Sequence, residues 1–449
     1  MIDPTWLKER AEEVRRAYRI APELYEKYSV KRGLRNKDGT GVLVGLTTIG
    51  NVHGYVVSEG EKTAVPGQLF YRGIDVVDLV RACEREKRFG FEETAYLLLF
   101  GHLPTKSQLT DWETLLAEYR RLPDGFKENA IIQAPGRDLM NSLARAVLTA
   151  YTYDTTPDLL DLETNLRQAV ELIAGFPTMA AYAYQAKAHY HQGHSLMLRY
   201  PDPSKSTAEN FLLLIREDGR YTQLEAETLD LALILHAEHG GGNNSSFVTH
   251  VVTSSFSDMY STIAAATLSL KGCRHGGANL RTMKQMAEMK QNIRDWTDEN
   301  EVADYIAKIT TKKAGDGTGL VYGLGHAVYT ISDPRAVLLK EKARILAEAT
   351  GRLDEFALYN AIETLGPEVI RKCHPGARDV CANVDLYSGF VYDMLNIPKD
   401  LYTPLFAIGR VVGWCAHRIE ELYNGGPIIR PAYKPIYKVH DYVPMDKRA

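Results

Sequence analysis

Apolar residues recur along most of the chain every three to four positions, a helical spacing. Residues 6–28 read as one charged surface helix. The spacing predicts further helices through Val76, Val77, Leu79 and Val80, and over 91–100, 108–121, 139–151 and 162–188. Residues 41–57 break the habit: glycine and β-branched side chains predict short strands there, the only clear β region. Ser206 or Thr207 is placed to cap a buried helix. Residues 225–236 form another apolar helix, whose end delivers His236 and His239 into the run Gly240, Gly241, Gly242. Residues 245–271 are almost uncharged. They predict one long helix buried on most sides, either central in the core or packed across a subunit boundary.

From 276 to 387 the pattern changes. Lysine and glutamate become denser and the predicted helices (297–312, 334–348, 354–372) are shorter and more amphipathic. A last helix over 402–423 regains the apolar character of the first 275 residues, followed by a proline-broken, extended tail over 427–437. The expected organisation is mostly α. Residues 1–275 begin a large domain, 276–387 form a smaller inserted domain, and 388–449 return to the large one, with a few short strands near the N-terminus.

Net charge is −4, so nothing draws the whole molecule to nucleic acid or an anionic membrane, and an anionic substrate would need a local basic pocket. Apolar stretches are interrupted before the ~18 residues a membrane span requires. Glu9, Glu12, Glu13, Glu23 and Glu26 argue against an acid-poor transit peptide, and a cytoplasmic location is expected. Five cysteines, few and odd in number, fit a reducing compartment. Cys373, His374 and Cys381 include no paired C-x2-C. His189, His191 and His194 have no clear fourth ligand nearby, so no metal is expected.

Three short stretches hold the candidate chemistry. His275 precedes two glycines, and a neutral imidazole there can donate to a thioester carbonyl and stabilise an enolate. His326 follows Gly323-Leu324-Gly325, a turn that exposes the ring and sets backbone amides against a ligand; a third glycine and a preceding strand, which a dinucleotide loop needs, are missing. Asp385 lies between Val384 and Leu386, either paired structurally or held as a general base. Arg335 opens a helix after Asp-Pro and reads either as a surface ion pair or as a carboxylate clamp. Arg410 sits on an apolar helix and calls for a buried anion. An acid, a base and a hydrogen-bond donor are the minimum for making a carbanion beside one carbonyl and aiming it at another.

Taken in order, these stretches, with Tyr71-Arg72-Gly73-Ile74-Asp75, the run from Glu93 to Pro104, Tyr200-Pro201-Asp202-Pro203, Ala208-Glu209-Asn210-Phe211 and Arg430-Pro431, resemble the citrate synthases over nearly the whole chain. The resemblance implies a mostly helical homodimer whose small domain closes over the site, and an acyltransferase that condenses acetyl-CoA with oxaloacetate and water to give citrate and CoA through citryl-CoA. It implies that His275 stabilises the enolised thioester, Asp385 removes the methyl proton and His326 donates to the oxaloacetate carbonyl. His239, Arg335 and Arg410 would bind oxaloacetate, with Arg430 supplied by the partner subunit. Coenzyme A enters as a co-substrate thioester, with no tightly bound cofactor. Leu324, Ala327 and Thr330, and the Cys273-Arg274 lead into His275, depart from the family pattern. Coenzyme contacts are therefore expected from Leu324, Gly325 and Arg274, with Lys312 or Lys313 as alternative sources of charge. The rival expectations are a 2-methylcitrate synthase using propionyl-CoA, dual activity, and an inactive dimeric scaffold of the same fold.

Overall fold

The computed structural model describes residues 4–36, 39–58 and 61–448. The chain divides into two units, Met1–Leu46 and Thr47–Ala449. The first unit holds α1 (Pro4–Ala17) and α2 (Pro22–Lys27), where one helix was expected. Pro22 explains the break: the residue before a proline is pushed out of the helical region, and Ala21 is extended at φ −65°, ψ 132°.

The second unit opens with an antiparallel sheet of β1 (Gly50–Ser58), β2 (Glu61–Tyr71) and β3 (Ile74–Asp75) in that order. Gly50 pairs with Tyr71 and Val52 with Leu69, with an irregularity between His53 and Tyr55. The strands therefore begin later than the sequence pattern suggested and run further. β2 escapes notice because Pro66, Gly67 and its charged start break the apolar alternation. Helices follow: α3 (Val76–Glu86), α4 (Phe91–Phe100), α5 (Lys106–Tyr119), α6 (Leu139–Ala150), α7 (Leu162–Gln192), α8 (Thr207–Ile215) and α9 (Gln223–His236). Ser206 is the cap of α8, in a reciprocal capping box with Glu209. The expected long helix over 245–271 is two, α10 (Asn244–Thr253) and α11 (Met259–Lys271). Asp258 caps the second through the Ser261 amide (2.8 Å), and Phe256 takes a positive φ of 60° in the turn between them.

The remaining helices are α12 (Ala278–Asn292), α13 (Glu299–Thr310), α14 (Pro334–Ala349), α15 (Leu353–Cys373), α16 (Val384–Met394) and α17 (Tyr402–Asn424). α12 and α16 were not foreseen. α12 buries Met283, Met286 and Met289 on one face, a flexible filler that reads weakly as a stripe. α17 is buried from Tyr402 to Arg418 and packs on α7, α9, α10 and α11. α16 lies on α12 and α14, and α14 also reaches α9. This packing brings the end of α9, the middle of α17 and the starts of α14 and α16 to one place.

A buried ion pair ties three early helices together. Glu92 of α4 accepts from Arg120 (3.1 Å) and from the Thr207 amide (2.6 Å) at the start of α8, while Arg120 also donates to the Lys205 carbonyl (2.6 Å). Both side chains are buried. Arg120→Met should lower unfolding stability by about 3–5 kcal/mol, because it leaves Glu92 uncompensated in the interior. Urea titration checks this, and a loss below about 1 kcal/mol would show that the Thr207 amide alone satisfies the carboxylate.

Candidate active site

Two buried guanidinium groups define the floor of the site, and they differ in how they are satisfied. Arg335 is the second residue of α14, whose cap is Asp333 with Pro334 behind it. Asp333 Oδ1 accepts from the Arg335 amide and Nε, both at 3.0 Å, and Oδ2 from a terminal nitrogen at 2.7 Å. Burial works to lower the Arg335 pKa, and the Asp333 carboxylate outweighs it. Arg410 has no such counterion in contact among the described residues. Its Nε donates to the His236 carbonyl (2.6 Å), and neither terminal nitrogen has a partner among the described residues. Burial pulls its pKa down to about 10, with Glu238 and Tyr71 opposing and Arg335 adding to the fall. Phe406, one turn earlier on α17, lies 4.9 Å below the guanidinium and stacks on the His236 ring at 4.0 Å.

The hydrogen bonds to the histidines fix where their protons sit. His326 Nδ1 accepts from the amides of Val328 and Tyr329, both at 3.1 Å, so the proton of the neutral ring is on Nε2. The ring stacks on Tyr329 (4.5 Å) and meets His239 edge-on at 5.1 Å. His275 Nε2 accepts from the Ser245 amide (3.3 Å) and lies 2.9 Å from Ser245 Oγ, so Nδ1 carries its proton. Trp414 Nε1 donates to the same hydroxyl at 3.1 Å, which anchors the His275 ring to α17. Burial, reinforced by Arg410, holds His275 down at about 3. Burial, Arg335 and His326 likewise hold His239 well below the ordinary imidazole range. His275 and His239 are therefore neutral at physiological pH.

Asp385 hangs from the same support as His326. In the turn Gly323-Leu324-Gly325, the Gly325 amide donates to the Cys381 carbonyl (2.8 Å) and Gly323 O accepts from the Asn383 amide (2.9 Å). The Asn383 side chain donates to Gly325 O (2.8 Å), and its Oδ1 caps α16 through the Asp385 amide (2.9 Å). Both glycines hold positive φ, +89° and +98°, and a Cβ on Gly323 would meet Leu386 at 2.9 Å. Asp385 Oδ1 is buried with no partner among the described residues. Burial pushes its carboxyl up to about 7, with Arg335 pulling down and Asp333 pushing up.

The structure thus brings His239, His275, His326, Arg335, Asp385 and Arg410 into one interconnected region. Leu324 and Gly325 belong to the pinned turn, where Leu324 pairs with Ala382. Arg274 is exposed, as is Arg430, which follows Ile429, whose amide donates to Ser254 Oγ (3.0 Å); the single chain leaves both outside the buried cluster. His189 and His191 turn to backbone carbonyls of His194 and Pro135, and no group of three or more metal-ligating side chains occurs among the described residues. Sequence reasoning passed over Asp333, Asn383, Phe406 and Ser245. The Asp-Pro-Arg and Asn-x-Asp cap spacings could have signalled the first two; nothing local marks the others.

The family model described as "Citrate synthase, C-terminal domain" matches residues 38–432. The chain is 34% identical over 406 residues to a citrate synthase of Haloferax volcanii, covering 88% of this chain and 98% of the relative. It is 32% identical over 387 residues to 2-methylcitrate synthase 1 of Corynebacterium glutamicum, covering 85% and 92%. Its fold is similar to that of citrate synthase from Thermoplasma acidophilum, solved as a ternary complex with carboxymethyl coenzyme A and oxaloacetate. That likeness has a TM-score of 0.76 at 28% identity and covers 93% of this chain and 99% of the other.

A carboxyl raised in the folded state costs stability once the unfolded chain ionises. For Asp385 that cost is absent below about pH 4, grows towards pH 7 and then levels off. Asp385→Asn should therefore be about 4 kcal/mol more stable than wild type at pH 8 and nearly equal to it at pH 4. Denaturant midpoints at the two pH values test this, and an identical difference at both would place the Asp385 pKa near the ordinary range.

Proposed function

The chain belongs to the citrate synthase family of acyltransferases, and we propose that it condenses acetyl-CoA with oxaloacetate and water to give citrate and CoA. The single observation carrying this reading is Arg410, a buried guanidinium whose two terminal nitrogens have no partner among the described residues, beside an Arg335 already paired. Such a group suits one carboxylate of a dicarboxylate. Arg335 binds the substrate through the donor capacity Asp333 leaves, His239 adds a contact, and Arg430 is contributed by the partner of a homodimer.

The chemistry follows from the proton positions. Nδ1–H of His275 donates to the thioester carbonyl while the Asp385 carboxylate takes a proton from the adjacent methyl carbon, giving an enol or enolate. Its carbon attacks the ketone of oxaloacetate, whose oxygen is stabilised by Nε2–H of His326. The carbon–carbon bond forms citryl-CoA, and water then cleaves the thioester to citrate and CoA. A pKa near 7 lets Asp385 act as a base at neutral pH and retain its proton as a weak acid afterwards. Leu324, Gly325 and Arg274 are the proposed coenzyme contacts. In this reading residues 276–387 move as a small domain against the rest, excluding water from the carbanion. A cytoplasmic setting completes it.

The Corynebacterium relative supports a second reading, with propionyl-CoA as the acyl donor and 2-methylcitrate as the product. One methylene in an apolar pocket separates acyl donors by only ~1–3 kcal/mol. Release of free CoA thiol with oxaloacetate, comparing the two thioesters at matched concentrations, decides between them. A large preference for acetyl-CoA is expected; comparable or reversed rates would move the assignment to a methylcitrate or dual enzyme. His275→Ala and Asp385→Asn should each lower kcat by about 10²–10⁴-fold, and undiminished turnover in either would remove that residue from the mechanism.

A further inference from the structure

Behind the ketoacid site lies a line of ionisable groups that the condensation itself does not use. Glu238, next to His239, is fully buried. Backbone closes over it: a Cβ on Gly50 of β1 would lie 2.7 Å from its Cγ, and one on Gly413 of α17 would lie 2.5 Å from its Oε2. Its Oε1 accepts from the Gly240 amide and lies 3.1 Å from His417 Nε2. His417 Nδ1 is 3.2 Å from Nε2 of His250 on α10, and His250 Nδ1 is 2.8 Å from Glu421 Oε2. The four groups run from beside His239 to the half-buried Glu421 at the end of α17.

Three contacts join the four groups in series. Ionised carboxylates only accept. The contacts Glu238–His417, His417–His250 and His250–Glu421 need one proton each, three in all. Two neutral imidazoles carry two protons and would leave one contact without a hydrogen. Two imidazoliums carry four and would set N–H against N–H in the middle. One hydrogen in each contact, with both carboxylates ionised, corresponds to three protons and one positive charge on the pair.

We propose that Glu238, His417, His250 and Glu421 are positioning residues that tune Arg410, and that the single charge on the histidine pair sets the affinity for the ketoacid. The proposal rests on reading the site as one for oxaloacetate. With the charge on His417, Glu238 is neutralised and the field of Arg410 is left for the incoming dianion. Transfer of the central proton breaks Nδ1–H of His417 and forms Nε2–H on His250. The charge then moves one ring outward, and Glu238 stands uncompensated beside Arg410. Burial and the neighbouring His417 hold His250 below the ordinary imidazole range, which favours the inner position. Glu420 also faces the pair, its Oε2 3.9 Å from His417 Nδ1, while Arg410 on α17, Tyr71 at the end of β2 and Arg72 in the following turn act on Glu238. Loss of the pair's proton at alkaline pH removes a positive charge near the dianion and weakens its binding.

Oxaloacetate titration by calorimetry between pH 6 and 9 tests this. It is run in the Asp385→Asn background, which takes out the pocket carboxyl placed near pH 7. The dissociation constant should rise at least threefold towards alkaline pH. Adding Glu421→Gln removes the outer countercharge, so the midpoint of the rise should fall by half a pH unit or more. Adding His250→Gln keeps a donor for Glu421 and an acceptor for His417, and should bind oxaloacetate at pH 7 at least as tightly as the background. A flat pH profile, or a midpoint unmoved by Glu421→Gln, overturns the proposal. Failure of the wild-type chain to bind oxaloacetate at any pH overturns the reading of the site, and this one with it.

Discussion

A guanidinium buried without a carboxylate in contact is the constraint around which the site is organised. A charge in the interior is costly unless it is paired and hydrogen-bonded. Arg410 has one hydrogen bond to a carbonyl, an aromatic face beneath it and Glu238 as its main opposing charge. A residue serving packing alone would be better as a methionine or leucine. The arrangement makes sense as one prepared for an anion, and its field reaches further than the anion it holds. Arg410 contributes to keeping both His239 and His275 neutral. A neutral imidazole is the donor that can stabilise an enolate without first protonating it.

The second arginine shows the complementary solution. Arg335 carries its own counterion in Asp333, and that pairing has a consequence for the base. A bare guanidinium near Asp385 would pull the carboxyl low and make it too weak to take a proton from carbon. Asp333 pushes in the opposite direction, and with burial it leaves Asp385 near neutrality. In the proposed mechanism this one ion pair serves both the carboxylate clamp and the base. The pinned turn at Gly323–Gly325 then links two roles mechanically, since Asn383 both holds the turn that presents His326 and caps the helix that presents Asp385. A shift in either residue would carry the other with it.

The residues that gather in the candidate site were legible because small residues frame them in short, specific strings: His275 before two glycines, His326 after Gly-x-Gly, Asp385 after Asn-Val. Most helix positions were legible from their spacing, and α4 matches its expected limits of 91–100. Three kinds of feature were not. Helix breaks set by one capping side chain, as at Asp258, vanish inside an apolar run. Strand β2 hides behind a proline and a glycine that sit at the irregularity in its pairing with β1. Long-range partners have no sequence spacing at all: Ser245 with Trp414, and Glu238 with His417, lie 169 and 179 residues apart. Glu238 stands between His236 and His239 in the sequence, yet its partner is on α17.

The most direct measurement is thermal unfolding of wild type and Arg410→Met, with and without oxaloacetate. If Arg410 is held in the interior for an anion, wild type gains a clear rise in Tm from oxaloacetate. Arg410→Met should match or exceed the ligand-free wild type and show no rise. A variant that unfolds well below wild type yet keeps the full oxaloacetate shift would mean that Arg410 is structural and that the ketoacid binds elsewhere.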